Sequence, residues 1–167
     1  MIYVIGSLRS PQIPHIGNKL RDAGYEVFDD WFSAGEEADD KLWAYEQLRG
    51  HNYREALQGY AAKHIFEFDK THIDRCEAAV LVMKAGRSAH LELGYVLGQG
   101  KPGFILFDEE PPRIDLMYQF ATGIAYNVEE LVMMLDRAKL SKPRPLSRYD
   151  RMLRWLHEGM QHWWRFQ

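Results

Sequence analysis

The sequence predicts an α/β fold in which a mostly parallel sheet of five strands is covered by helices. Three apolar runs, at residues 1–5, 78–82 and 104–107, are too short for helices and are typical of buried strands. Weaker runs at residues 25–28 and 123–126 complete the five. Segments with helical spacing separate these runs, and the connections are short, which favours parallel pairing.

Helix signals lie between the predicted strands. The predicted helices span residues 14–23, 52–68, 89–98 and 128–138, with a helical turn at 115–121. Gly24 ends the first of them, Ser88 is the predicted N-cap of the third, and Asn127 that of the fourth. Residues 33–50 are charged and show no clear period.

Composition divides the chain of 167 residues into one domain, residues 1–140, and a tail, residues 141–167. The domain carries 15 Lys and Arg against 22 Asp and Glu, whereas the tail carries 6 against 2. An acidic domain argues against nucleic-acid binding. Apolar residues of the tail recur at helical spacing and predict a basic, Trp-rich amphipathic helix. This helix would pack on the domain or on another subunit, or lie on a membrane surface.

Compartment signals are few. The longest apolar runs have about six residues, so we expect no membrane-spanning helix. The first residues already read as a strand, so no signal peptide is expected, and the cytoplasm is the predicted location.

The common cofactor motifs are missing. Residues 6–9 match neither the phosphate-binding GxxxxGK[ST] pattern nor the dinucleotide-binding GxGxxG pattern. A single cysteine, Cys76, excludes an internal disulfide and a cysteine-cluster metal site. We therefore expect neither a cofactor nor a metal.

Ligands of parallel α/β sheets bind beyond the carboxyl ends of the strands, here at residues 6–9, 29–31 and 84–88. Glu92 lies about one turn into the predicted helix that follows residues 84–88. Its carboxylate either faces a ligand or only complements the helix dipole. Gly94 beside it suggests close packing on this helix.

Small and basic residues in these loops are the candidate ligand contacts. Asp30 and Trp31 would hold a base by hydrogen bonding and stacking, or else cap a helix and pack in the core. Arginine pairs well with phosphate oxygens. The remaining candidates, for a phosphate or for close backbone approach, are Gly6, Ser7, Arg9, Gly86, Arg87 and Ser88.

Three motifs together resemble the nucleoside 2-deoxyribosyltransferase superfamily, which includes deoxynucleoside 5′-monophosphate N-glycosidases. They are MIYVIGS at the start, Phe68-Asp69 before the central strand, and GRSAHLELGYVLGQGKP from Gly86. The resemblance covers about residues 1–140. It implies a flavodoxin-like, Rossmann-like three-layer sandwich and a homo-oligomer whose neighbouring chain completes the site.

The resemblance also implies an activity. Glu92 would be the nucleophile that cleaves the N-glycosidic bond of a 2′-deoxyribonucleoside, or of its 5′-monophosphate, through a glutamyl-deoxyribosyl intermediate before transfer to another base. Asp69, 23 residues earlier, would be the second acid, with Asp74 as a competitor. Several transferases carry Asp where this chain has Gly86, which favours hydrolysis. The alternatives are therefore a deoxynucleoside 5′-monophosphate N-hydrolase and a non-catalytic nucleotide-binding module.

Overall fold

The computed structural model describes residues 1–142 and contains a five-stranded, wholly parallel sheet. The strands lie in the order β2-β1-β3-β4-β5, which is the flavodoxin-like order, so the predicted fold class is confirmed. Their bounds are β1 Ile2–Ile5, β2 Val27–Phe28, β3 Ala78–Val82, β4 Gly103–Leu106 and β5 Gly123–Ala125. The predicted tail helix lies beyond Lys142 and so outside the described residues.

Helices cover both faces of the sheet. Their bounds are α1 Gln12–Asp22, α2 Ala38–Leu48, α3 Tyr53–Leu57, α4 Tyr60–Arg75, α5 Arg87–Gly98 and α6 Val128–Arg137. Short 3₁₀ helices occupy Asp30–Ala34 and Leu116–Phe120. Within residues 1–142, no helix has both the length and the apolar character needed to cross a membrane.

Alternation along the strands creates two cores. Ile2 and Val4 of β1 pack with α1 and α6 on one face, whereas Tyr3 and Ile5 pack with α4 and α5 on the other. Successive strand residues point to opposite faces. A side chain of β1 therefore reaches the α4–α5 layer only from Tyr3 or Ile5.

Two predicted helix ends are confirmed. Gly24 follows α1 with φ of 92°, a conformation that favours glycine, and its N–H donates to the Arg21 carbonyl. The Asn127 side chain accepts from the Glu130 N–H at 2.8 Å and caps α6.

The helix predicted over residues 52–68 is wrong, because the structure has two helices there. Asn52 and Glu55 form a capping box that starts α3. The chain then turns at Gly59, where an added Cβ would lie 3.0 Å from the Ala56 carbonyl oxygen. A new helix, α4, starts after this turn and continues to Arg75.

The charged segment at residues 33–50 contains α2, which carries a buried carboxylate. Glu46 is 1% exposed, and its Oε2 lies 2.5 Å from His51 Nδ1. Arg49 Nη1 lies 3.4 Å from the other carboxylate oxygen. Buried charges need such partners. The cluster ties the end of α2 to the segment that leads into α3.

Candidate active site

The carboxyl ends of β1 and β3 lie side by side at the centre of the sheet. The chain leaves β1 toward α1 on one face and β3 toward α5 on the other. Such a change of side opens a crevice at the strand ends. The loops at residues 6–9, 29–31 and 84–88 all follow strands at this edge, as predicted.

Glu92 and Asp69 face the same region from neighbouring helices. Glu92 lies on α5 and Asp69 on α4, and both helices pack on the sheet face that buries Tyr3. Burial, followed by the charge of Asp69, raises the pKa of Glu92 to about 7. Burial and the charges of both carboxylates also raise the Tyr3 pKa. The three side chains therefore share one partly dry environment.

The surroundings of Asp69 explain why its pKa is raised. Burial is the main cause that raises its pKa, and the charge of Asp39 adds to it, while His72 opposes the rise. Asp69 Oδ1 is buried and has no hydrogen-bond partner among residues 1–142. Unsatisfied buried polar atoms are uncommon and concentrate at functional sites. A raised pKa makes a carboxyl group better suited to hold and donate a proton.

Asp74, the competing acid, has a different environment. It is exposed, its Oδ2 lies 2.5 Å from Lys70 Nζ, and Tyr95 and Gln99 donate to its other oxygen. These contacts lower the pKa of Asp74 to about 2. The geometry therefore favours Asp69 over Asp74 as the acid.

Aromatic rings line the region next to Asp69. The His72 ring stacks on Phe28 with centroids 3.8 Å apart, and Phe28 stacks on Tyr3 at 5.3 Å. His72 Nδ1 lies 2.8 Å from the Phe68 carbonyl oxygen and therefore carries its proton there. His72, at the end of this stack, lies one helical turn from Asp69 on α4.

The predicted N-cap of α5 is wrong. The helix begins at Arg87, and Gly86 is the N-cap residue with an extended backbone. Ser88 therefore lies in the first turn, where its exposed side chain makes no capping bond. Arg87 is also exposed, and an added Cβ at Gly86 would meet nothing within 4 Å. A ligand can approach the free N–H groups of this helix start.

Gly94 and Gly6 differ in how closely other residues pack around them. An added Cβ at Gly94 would meet no atom within 4 Å, so the expected close packing at this position is wrong. At Gly6 an added Cβ would lie 2.4 Å from Ile13 Cδ1. The small size of Gly6 therefore allows α1 to pack closely against the end of β1.

Ser7 and Arg9 shape the loop after β1. The Arg9 N–H donates to Ser7 Oγ at 3.2 Å, and Arg9 Nη2 lies 2.5 Å from Asp40 Oδ2 in the first turn of α2. The predicted phosphate contact is thus engaged with a carboxylate that the sequence pattern did not indicate.

Trp31 is half-buried and anchored to the sheet. Its indole N–H donates to the Val4 carbonyl at 2.8 Å, and its ring packs against both cores. Trp31 therefore matches the second expectation, in which it packs in the core, and its N–H is not free to bind a base. Asp30 is the first residue of the 3₁₀ helix and is exposed, whereas Asp29, before it, pairs with Arg21.

A histidine joins the loop before α5 to a second segment. His90 Nδ1 lies 2.7 Å from the Gly86 carbonyl oxygen and His90 Nε2 lies 3.0 Å from Tyr118 Oη. The carbonyl requires a proton on Nδ1, so a neutral His90 accepts the Tyr118 proton at Nε2. The bond holds the 3₁₀ helix Leu116–Phe120 beside the start of α5.

Sequence reasoning missed Tyr3, Asp39 and Tyr118 in this region. Strand alternation marks Tyr3 as facing the same side as Ile5, so that signal was present. Asp39 and Tyr118 come into the region only through tertiary packing.

A separate cleft of about 210 Å³ lies between α1 and α6 at the same sheet edge. Its lining includes His15, Lys19 and Asp108 but neither Glu92 nor Asp69. Among residues 1–142, no three His, Cys, Asp or Glu side chains are grouped so that they could hold a metal ion. Cys76 is buried.

No protein-family model matches the chain. No curated protein matches it either.

Proposed function

We propose that this chain cleaves the N-glycosidic bond of a 2′-deoxyribonucleoside or its 5′-monophosphate and transfers the sugar to another base. The observation that supports the proposal best is the carboxyl pair Glu92 and Asp69, in which burial and mutual charge raise the pKa of Glu92 to about 7. Two carboxyl groups that share a proton near neutral pH supply both a nucleophile and an acid.

In the first step, an ionised Glu92 oxygen attacks C1′ of the deoxyribose. The C1′–O bond to Glu92 forms while the C1′–N bond to the base breaks, through a transition state with oxocarbenium character. Negative charge beside C1′ stabilises that state. The product is a glycosyl ester of Glu92, which divides one difficult displacement into two easier ones.

Asp69 serves the leaving base. Its proton passes to the base nitrogen as the C1′–N bond breaks, so that the base leaves neutral. The buried position of Asp69, with one oxygen unpartnered among residues 1–142, supports this role because burial raises the pKa of its carboxyl group.

In the second step, a nitrogen of the acceptor base attacks C1′ and returns the electron pair to Glu92. The acceptor's proton goes to Asp69, which restores the starting state. Two inversions at C1′ retain the configuration.

Hydrolysis is the second candidate, and Gly86 favours it. A water molecule then attacks C1′ in place of the acceptor base, and Asp69 accepts its proton. Gly86 offers open space and no carboxylate at this position. The exposed Arg87 and Ser88 at the start of α5, with Ser7 and Arg9, support binding of a 5′-phosphate by charge-assisted hydrogen bonds.

The test combines turnover and trapping. Purified protein is incubated with the four deoxynucleosides and their 5′-monophosphates, with and without a second base, and base release is followed by chromatography. We expect release that requires Glu92 and a rapid-quench mass spectrum that shows one deoxyribosyl group on a peptide containing Glu92. Glu92→Gln should abolish both, while Glu67→Gln, an exposed acid on α4, serves as the matched control.

The outcomes separate the candidates. A new nucleoside that appears only with the second base identifies transfer, and free deoxyribose or its phosphate identifies hydrolysis. Nucleotide binding without turnover over hours would instead support a non-catalytic module and overturn the proposal.

A further inference from the structure

The ion pair between Arg9 and Asp40 bridges two elements at the mouth of the candidate site. Arg9 lies in the loop that follows β1, and Asp40 lies in the first turn of α2. Their side chains are 66% and 68% exposed, and Arg9 Nη2 lies 2.5 Å from Asp40 Oδ2. Because exposed pairs of this kind are weak, a stronger anionic partner can take Arg9 from Asp40.

The first turn of α2 also lies near Asp69. Asp39, next to Asp40, is close enough that its charge raises the pKa of Asp69. The Arg9–Asp40 pair therefore lies at the rim of the same region that Asp69 and Glu92 occupy.

Charge at this rim opposes an anionic ligand. The start of α2 carries Asp39 and Asp40, with Glu36 and Glu37 just before them. An approaching phosphate meets these carboxylates and needs a cation that they do not already hold. Arg9 offers its full charge and all of its N–H donors to a phosphate only when it leaves Asp40.

We propose that Asp40 is a specificity-determining residue, which competes with the phosphate of a deoxynucleotide for Arg9. This inference rests on the proposed function. A phosphate that binds Arg9 displaces Asp40 and frees the first turn of α2 from the loop after β1. A deoxynucleoside without a phosphate leaves the ion pair intact. Asp40 therefore sets how strongly the site prefers phosphorylated over unphosphorylated sugars.

The experiment measures binding without requiring turnover. The probes are 2-deoxyribose 5-phosphate and 2-deoxyribose, titrated by calorimetry at low salt into the full chain and its variants. Asp40→Asn should bind the phosphate probe two- to fivefold more tightly than the unaltered protein. Glu36→Gln is the matched control, because it removes one exposed charge from the same segment and Glu36 forms no ion pair within residues 1–142.

Arg9 provides the second control. In an Arg9→Gln background, Asp40→Asn should produce no further gain in affinity for the phosphate probe, because Asp40 and the phosphate no longer have a guanidinium to compete for. If nucleotides are turned over, the gain should appear in KM for the 5′-monophosphate and not in kcat.

Three results would overturn the inference. They are no gain in Asp40→Asn, an equal gain in Glu36→Gln, and a gain that persists in the Arg9→Gln background. None of them depends on bond cleavage. A protein that cleaves no nucleoside would contradict the proposed function, but this binding experiment could still be interpreted.

Discussion

The carboxyl group of Glu92 lies close enough to that of Asp69 for the charge of Asp69 to raise the pKa of Glu92, which reaches about 7. Burial is the larger cause of the rise. The two groups belong to different helices, α5 and α4, and meet because both helices pack on the same face of the sheet.

The pH dependence of cleavage follows from this relationship. In the proposed reaction the pair carries one proton, with Glu92 ionised for attack and Asp69 protonated for donation, and this proton is lost above a pH of about 7. We therefore expect kcat/KM to fall as the pH rises through about 7. Asp69→Asn removes both the acid and the neighbouring charge, so it should slow base release by about 10²–10⁴-fold and remove this alkaline limb. A pH–rate profile whose alkaline limb stays in place in Asp69→Asn would contradict the coupling.

Glu92 should make the protein less stable as the pH rises, whereas an ordinary ion-paired carboxylate makes a protein more stable. The folded state holds this proton up to a pH of about 7, while the unfolded chain releases it near 4.5, so stability decreases as the pH rises between these values. Glu92→Gln removes that penalty. We expect it to stabilise the protein at pH 8 by about 3 kcal/mol, with little effect at pH 4. Urea unfolding at both pH values measures the difference, and an equal effect at both would be the contrary result.

Trp31 should matter for stability through its hydrogen bond. β2 pairs with β1 only at Ile2 and Tyr3, and the Trp31 indole N–H donates to the next carbonyl of β1, that of Val4. Trp31→Phe leaves this carbonyl without its donor and should cost about 1–3 kcal/mol. Trp43→Phe also removes a half-buried indole N–H, but no hydrogen bond from it is seen within residues 1–142. A similar loss in both variants in thermal unfolding would argue against the hydrogen bond as the cause.

Exposed apolar side chains on the helices bear on the predicted homo-oligomer. Leu48 at the end of α2 is 88% exposed and Tyr60 at the start of α4 is 86% exposed. Apolar side chains grouped on one surface often mark an interface. We expect light scattering to give a mass above 19.6 kDa for the chain. Tyr60→Lys should lower that mass, whereas Gln58→Lys, an exposed polar position nearby, should leave it unchanged. A monomer at micromolar concentration would contradict the prediction.

Local signals in the sequence were sufficient to predict the strands of the sheet. The runs at residues 78–82 and 104–107 predicted β3 and β4 within one residue, and Gly24 and Asn127 marked helix ends correctly. These features depend on apolar side chains and backbone geometry within a few residues. The division between α3 and α4 at Gly59 was not readable, because the space there is set by the Ala56 carbonyl and by Glu46, which lies in another helix.

The amino-acid sequence alone identified Glu92 and Asp69 as the candidate catalytic pair, because they stand in a recognisable pattern along the chain. Only the tertiary structure decided their pKa values, because a pKa depends on burial and on the charges that packing brings near. Asp39 and Tyr3 enter that environment from α2 and β1, and His72 from the next turn of α4. For the same reason, the partner of Arg9 became known only when α2 was placed against the loop that follows β1.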